Sequence, residues 1–179
     1  MVTQISEGHF TSTIYGYIKE RKYAEAIEVL TMQRYAHPTS RAALSLLAFC
    51  YFQMQDFVQA SDCYEQLSQL CPNHPTYRLH FAFCLHRAGL NEAAMQVAAA
   101  VAAETNQETN RERVVKLQAA IRYSSDDFPG AAAFVQQCSP EDPDRVVNFG
   151  CLLYQEGKYN EACKHFQQAI SVRYLLLKL

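Results

Sequence analysis

The sequence predicts an all-α fold in which helix–turn–helix repeats stack in a right-handed superhelical solenoid. Apolar residues recur at helical spacing, as at Leu44, Leu47, Ala48 and Tyr51, which would share one face of a helix. Three segments also follow one pattern: a polar residue, an aromatic residue, two variable residues, an alanine, three variable residues and a large apolar residue. These segments are residues 22–30, 56–64 and 158–166. With 179 residues, 49% of them hydrophobic, the chain can bury a continuous core.

The interval between copies identifies the type of repeat. With weaker copies added, the shared alanine falls at Ala26, Ala60, Ala93, Ala131 and Ala162, at intervals of 34, 33, 38 and 31 residues. Their average is the length of the tetratricopeptide repeat, a pair of helices of 34 residues. We therefore predict a single array over residues 1–179, forming the N-terminal part of a longer solenoid. Its five repeats are residues 6–38, 41–72, 75–109, 112–143 and 145–174.

Three local features refine this prediction. The polar stretch 104–112 predicts a longer loop between the third and fourth repeats. The short interval after Ala131 predicts a shortened second helix in the fourth repeat. Gly89 and Gly157 are placed where the first helix of a repeat turns into the second, a position that favours positive φ.

The two ends of the chain carry separate expectations. Residues 1–9 contain neither a basic nor an apolar stretch, so no secretory signal is predicted. The last residues, 174–179, are apolar except for Lys178 and include no polar capping helix, although a solenoid needs a solvated final face. Two interpretations stay open. Either the chain is the N-terminal part of a longer array, an unusual isoform or a piece capped by a partner, or the tail folds back over the last helix pair.

Composition excludes several classes of function. Sixteen basic against eighteen acidic residues give a net charge of −2, which lacks the positive surface of nucleic-acid-binding proteins. The longest apolar runs are far shorter than the roughly 20 residues of a membrane span, so no membrane insertion is expected. Seven cysteines, an odd number, indicate a reducing compartment.

No motif predicts catalysis or a cofactor. Phosphate-binding glycine loops, a nucleophile elbow and a zinc-protease motif are all missing from the sequence. Four His/Cys spacings could suggest metal, but none has the second pair of ligands that a tetrahedral zinc site requires: His80/Cys84, Cys84/His86, Cys71/His74 and Cys163/His165. We expect a protein that is not an enzyme and has no metal or cofactor.

A partner-binding groove is the better prospect. In tetratricopeptide repeat proteins, fixed positions of each first helix line the groove. Carried onto this chain, these positions place ten candidate partner-binding residues: Tyr15, Ile18, Phe49, Phe52, Leu79, Phe83, His86, Tyr123, Val147 and Tyr154. The groove is therefore predicted to be aromatic and largely uncharged, which suits an extended, proline-rich segment.

Two other functions remain as alternatives. A generic tetratricopeptide co-chaperone or adaptor would recognise peptide motifs, and one that clamps acidic C-termini needs basic groove residues. Only Lys116 and Arg113 offer them. The chain could also be the regulatory arm of an enzyme.

Beyond the generic repeat, the sequence resembles one family in particular. The resemblance extends from Phe10 to Ala169. Three segments carry it, residues 40–67, 116–124 and 148–162. They are similar to the tetratricopeptide repeat protein 30 family, also called intraflagellar transport protein 70. The resemblance implies a non-enzymatic subunit of intraflagellar transport complex B, located in cilium and cytoplasm and needed for cilium assembly and cargo transport. It further implies binding to a proline-rich segment of another complex B subunit, and a link to tubulin polyglutamylation in cilia.

Overall fold

A computed structural model of the chain describes residues 9–105 and 108–176, with side chains as far as residue 171. These residues form ten helices and no strand, which confirms the all-α prediction. The expectations for residues 1–8 and for the tail side chains lie outside this described part. The helices are α1 Phe10–Lys19, α2 Tyr23–Ala36, α3 Arg41–Gln53, α4 Phe57–Leu70, α5 Pro75–Arg87, α6 Asn91–Glu104, α7 Glu108–Ser124, α8 Phe128–Gln137, α9 Pro143–Gln155 and α10 Tyr159–Leu176.

The chain divides into two compact bodies. The N-terminal body is Met1–Val101 and the C-terminal body is Ala102–Leu179. Each of the five predicted repeats contains most of one helix pair, beginning with α1 and α2. That the repeats form one continuous array stays a prediction.

The same type of turn joins the two helices in each of the five repeats. Its residue with positive φ lies five positions before the repeat alanine, and the following N–H bonds back to the carbonyl five residues earlier, as Asp56 does to Tyr51 at 3.0 Å. This is the Schellman arrangement, which satisfies carbonyls at the end of a helix. The five residues with positive φ are Arg21, Gln55, Gly89, Asp126 and Gly157.

These turns correct the alignment of the third repeat. Gly89, with φ of 82°, lies five residues before Ala94, and the Ala94 N–H bonds to the Leu90 carbonyl as its counterparts do in the other repeats. Ala94 is fully buried, whereas Ala93 is exposed. The choice of Ala93 was therefore wrong by one residue, and the repeat intervals become 34, 34, 37 and 31.

The long and the short interval have a common physical basis. Residues 108–112 are helical, so the predicted loop over 104–112 is wrong: α7 begins at Glu108 and has 17 residues against 13 in α3. The predicted shortening of the second helix is correct, since α8 has 10 residues against 14 in α4. Each change is close to one helical turn of 3.6 residues, which keeps the buried face in register.

Small residues at the helix contacts allow close packing within each body. In the N-terminal body Ala26, Ala48 and Ala60 are fully buried beside Leu44 and Leu67. In the C-terminal body the buried residues include Ala119, Ala131, Val135 and Leu152. Two helices approach closely only where neither carries a bulky side chain. None of the helices in residues 9–105 and 108–176 combines the length and the continuous apolar surface that a bilayer-spanning segment requires.

Candidate partner-binding surface

Three partly exposed aromatic residues occupy the same repeat position in the N-terminal body. Tyr15 of α1, Phe49 of α3 and Phe83 of α5 each lie eleven residues before their repeat alanine. Their side chains are 57%, 37% and 38% exposed. We call these three residues the ring row. Large apolar groups left open at one repeat position are typical of a surface that binds a partner.

A second set of residues lies eight positions before the repeat alanine, and one of them, Phe52, contacts the ring row. Ile18, Phe52 and His86 are each partly buried. The Phe52 ring lies 5.8 Å from that of Phe83, between centroids, which joins α3 to α5. His86 Nδ1 lies 2.9 Å from the side-chain oxygen of Asn91, which fixes the imidazole ring.

Sequence reasoning missed three residues that position these rings. Tyr23 meets Phe49 edge-on with centroids 6.2 Å apart, and Phe57 meets Phe52 in the same way at 5.6 Å. The Arg87 guanidinium lies 4.7 Å from the Phe57 ring centroid, a cation–π contact. Tyr23 and Phe57 occupy the aromatic position of the repeat pattern, which could have identified them as supports for the rings.

Leu79 differs from the other candidates. It is only 4% exposed, so it contributes to the core and offers no open surface. Its repeat position, fifteen residues before the alanine, holds the partly exposed Ser45 in the second repeat. A larger apolar side chain at that position is buried because it removes more apolar area from water. Its assignment to the binding surface does not fit this burial, and partner binding by the other nine residues stays a prediction.

The C-terminal body places its three candidates differently. Tyr154 of α9 is 56% exposed and meets Tyr159 edge-on at 5.1 Å, while Val147 is 38% exposed. Tyr123 of α7 is partly buried, and its hydroxyl accepts a hydrogen bond from Gln155 Nε2 at 2.9 Å. Each candidate thus has a defined place on α7 or α9.

Lys116, one of the two basic candidates for a carboxylate clamp, is already paired with two carboxylates of the protein. Lys116 Nζ lies 2.7 Å from a carboxylate oxygen of Asp142 and 2.7 Å from one of Asp144. Burial alone would lower the pKa of Lys116, but the two adjacent carboxylates raise it above its ordinary value, so the ammonium stays charged. This charge is matched twice within the protein and is poorly placed to capture an acidic C-terminus.

The buried thiols are unsuited to nucleophilic chemistry. Burial raises the pKa of Cys50 and Cys63 to about 11 and that of Cys84 to about 12. The thiolate is the reactive form, so these residues stay protonated and inert near neutral pH. In the described part of the chain, no three His, Cys, Asp or Glu side chains are close enough together to hold a metal ion.

Comparisons with known proteins agree on the fold. Tetratricopeptide repeat family models match residues 17–78 and 145–174. A solved structure of MamA from Desulfovibrio magneticus RS-1 superimposes with a TM-score of 0.73 at 15% identity, covering 92% of this chain and 93% of that one. The type IV pilus biogenesis factor PilW gives 0.71 at 15% identity, covering 90% and 75%. At such low identity these likenesses show the tetratricopeptide fold alone.

Sequence relatives are more specific. Intraflagellar transport protein 70A from Xenopus tropicalis is 46% identical over 169 residues, and the Danio rerio protein of that name is 44% identical over 168. Protein 70B from Rattus norvegicus is 42% identical over 178 residues. Each alignment covers 94% of this chain, which spans only about a quarter of the length of these relatives. Over that quarter, the chain belongs to the intraflagellar transport protein 70 family.

Proposed function

We propose that the chain is a non-enzymatic interaction scaffold of intraflagellar transport complex B, needed for cilium assembly and ciliary cargo transport. It acts in the cilium and the cytoplasm by binding other protein subunits. The names of its relatives support a role in intraflagellar transport, and the sequence resemblance supplies the assignment to complex B. The link of the family to tubulin polyglutamylation forms part of the same proposal.

The single observation that carries this proposal is the ring row. Phe49 and Phe83 are each more than one-third exposed, although their neighbours Phe52 and Phe57 are packed against other rings. Exposed aromatic faces held by packed rings bind a partner with little loss of side-chain entropy. A proline-rich segment suits them because its extended backbone is already ordered before binding. We therefore propose such a segment of another complex B subunit as the ligand.

Two observations support a scaffold over the alternatives. The protonated state of Cys50, Cys63 and Cys84 favours a structural role for the buried thiols over a catalytic one. The paired Lys116 disfavours a co-chaperone that clamps acidic C-termini. A generic adaptor for other peptide motifs and the regulatory arm of an enzyme remain as competitors, and binding measurements distinguish the adaptor.

The test measures binding of short fluorescent peptides that tile the proline-rich segments of complex B subunits. We expect at least one peptide to bind saturably. Phe49→Ala and Phe83→Ala should each weaken the binding of this peptide by about 2 kcal/mol or more, which is about 30-fold in Kd. Tyr35→Ala is the matched control, because Tyr35 is an aromatic residue of α2, 85% exposed and outside the ring row.

The outcomes separate the competing functions. Unchanged affinity in both phenylalanine variants, with cooperative melting retained, would refute the ring row as the binding surface. Binding of an acidic C-terminal peptide in place of all proline-rich peptides would favour the co-chaperone.

A further inference from the structure

The C-terminal body contains a cavity where the N-terminal body has rings. At the position eleven residues before the repeat alanine, the first three repeats carry Tyr15, Phe49 and Phe83, whereas the fourth and fifth carry Ala120 and Cys151. Both small side chains line a cavity of about 180 Å³ formed by α7, α8 and α9. The cavity thus lies at the repeat position that aromatic side chains occupy elsewhere in the chain.

The rest of the lining is mostly apolar. Helix α8 forms one wall through Ala131 and Val135, and Ala119 of α7 and Leu152 of α9 complete the apolar part. Ser124 and Asn148 add two polar side chains.

The lining selects an apolar ligand over an anion. Tyr123 contributes an aromatic ring, and its hydroxyl is engaged by Gln155. Lys116 also lines the cavity, but its ammonium group lies 2.7 Å from both Asp142 and Asp144. A carboxylate or phosphate would have to compete with two carboxylates that are already in place, whereas an apolar group meets no such competition.

The size of the cavity indicates how large that group is. An apolar cavity of about 150 Å³ binds benzene in a well-packed protein. At about 180 Å³, this space is large enough for one six-membered ring with its linking methylene, and it is partly open to solvent, so a side chain of a partner can enter it.

We propose that the cavity lined by Ala120, Tyr123, Val135, Cys151 and Leu152 is a binding site for one phenyl-sized side chain of a protein partner. The site rests on the proposed scaffold function, since it extends recognition from extended segments in general to segments that carry a large aromatic residue. The partner's ring takes the place of the ring that repeats four and five lack. Binding would exclude water from the small apolar residues and from the Cys151 thiol.

The experiment uses a small probe, so it does not depend on any transport partner. N-acetyl-phenylalanine amide is titrated into the full chain carrying ¹³C-labelled alanine methyl groups, and N-acetyl-alanine amide is the matched control. We expect saturable shifts at Ala119, Ala120 and Ala131 in the millimolar range, with none at Ala26 or Ala60 in the N-terminal body. Shifts at all alanines alike, or none, would overturn the proposal.

Two further measurements guard against misfolded variants. Ala120→Phe introduces the ring that the first three repeats carry at this position, and it should weaken binding of the probe by about tenfold or more. In the unmodified chain, saturating probe should slow alkylation of Cys151 about tenfold while leaving that of the exposed Cys163 unchanged. Undiminished probe binding in a folded Ala120→Phe variant, or equal alkylation of Cys151 with and without probe, would refute the site. A positive result here with no binding of proline-rich peptides would reject the proposed ligand of the ring row and keep the cavity.

Discussion

Replacing Gln55 by glycine should stabilise the protein, whereas the same exchange at Gln96 should destabilise it. Gln55 holds φ of 61° in the turn between α3 and α4, and its side chain is exposed. Gln96 is also exposed but lies inside α6. The two substitutions remove the same side chain, so they differ only in the backbone conformation that the residue must adopt.

The expected magnitudes follow from that difference. A residue with a Cβ pays about 1–2 kcal/mol in the left-handed region. Glycine avoids this cost, but it also makes the unfolded chain more flexible, which lowers stability by about 0.4–1 kcal/mol. Gln55→Gly should therefore gain about 0.5–1 kcal/mol, and Gln96→Gly should lose about 1 kcal/mol. For a chain of this length, these changes correspond to about 1–4 °C in Tm, upwards for Gln55→Gly and downwards for Gln96→Gly.

Thermal and urea unfolding followed by circular dichroism measure both variants against the unmodified chain. Helix content should be equal in all three before unfolding. A lower Tm for Gln55→Gly, or shifts of the same sign in both variants, would refute the left-handed turn at Gln55. Arg21 and Asp126 hold φ of 59° and 58° at the same repeat position, so glycine there should act in the same direction.

Three further predictions concern the packed interior. The free energy of unfolding should fall as pH rises from about 9 towards 12, because burial raises the pKa of Cys84 to about 12 and the folded state holds the proton more tightly. In urea titrations, Cys84→Ala should reduce the slope of this free energy against pH by about 1.4 kcal/mol per pH unit. Gly150→Ala should cost about 1–3 kcal/mol, since its Cβ would lie 2.6 Å from a ring carbon of Phe166. Ala60→Leu should cost about 1–3 kcal/mol by overpacking a fully buried position, seen as a lower Tm.

Each of these has a contradicting result. An alkaline slope that is identical in the unmodified chain and Cys84→Ala would show that this thiol titrates normally. For Gly150→Ala, a double-mutant cycle with Phe166→Ala should give less than additive losses, and strict additivity would place the two residues apart. An unchanged Tm for Ala60→Leu would show that the residue is not at a close helix contact.

The sequence predicted the helical repeats because burial of one face imposes a spacing that can be counted. It could not choose between Ala93 and Ala94, since two adjacent alanines satisfy the same pattern. The choice depends on the backbone at Gly89, where the positive φ fixes the end of α5. Likewise, the polar residues 108–112 suggested a loop, although they form the first turns of α7: Glu108, Arg111 and Glu112 have good helix propensity, and Asn110 is buried.

The candidate surface was predictable only in part. Fixed repeat positions led to Phe49 and Phe83, which are open, but also to Leu79, whose burial depends on how neighbouring helices pack. The cavity between α7 and α9 was not predicted, because it is the space beside the small side chains of Ala120 and Cys151 and no motif marks it. A motif search finds residues that are present, whereas this cavity lies where two repeats carry small side chains in place of rings.

The most direct test of the scaffold role is affinity purification of the tagged chain from ciliated cells, followed by quantitative mass spectrometry. We predict that complex B subunits are the main proteins recovered with the unmodified chain and with Tyr35→Ala. Their recovery should drop about tenfold or more when Phe49 and Phe83 are both replaced by alanine. Recovery dominated by chaperones, or equal recovery of complex B subunits by every variant, would contradict the account.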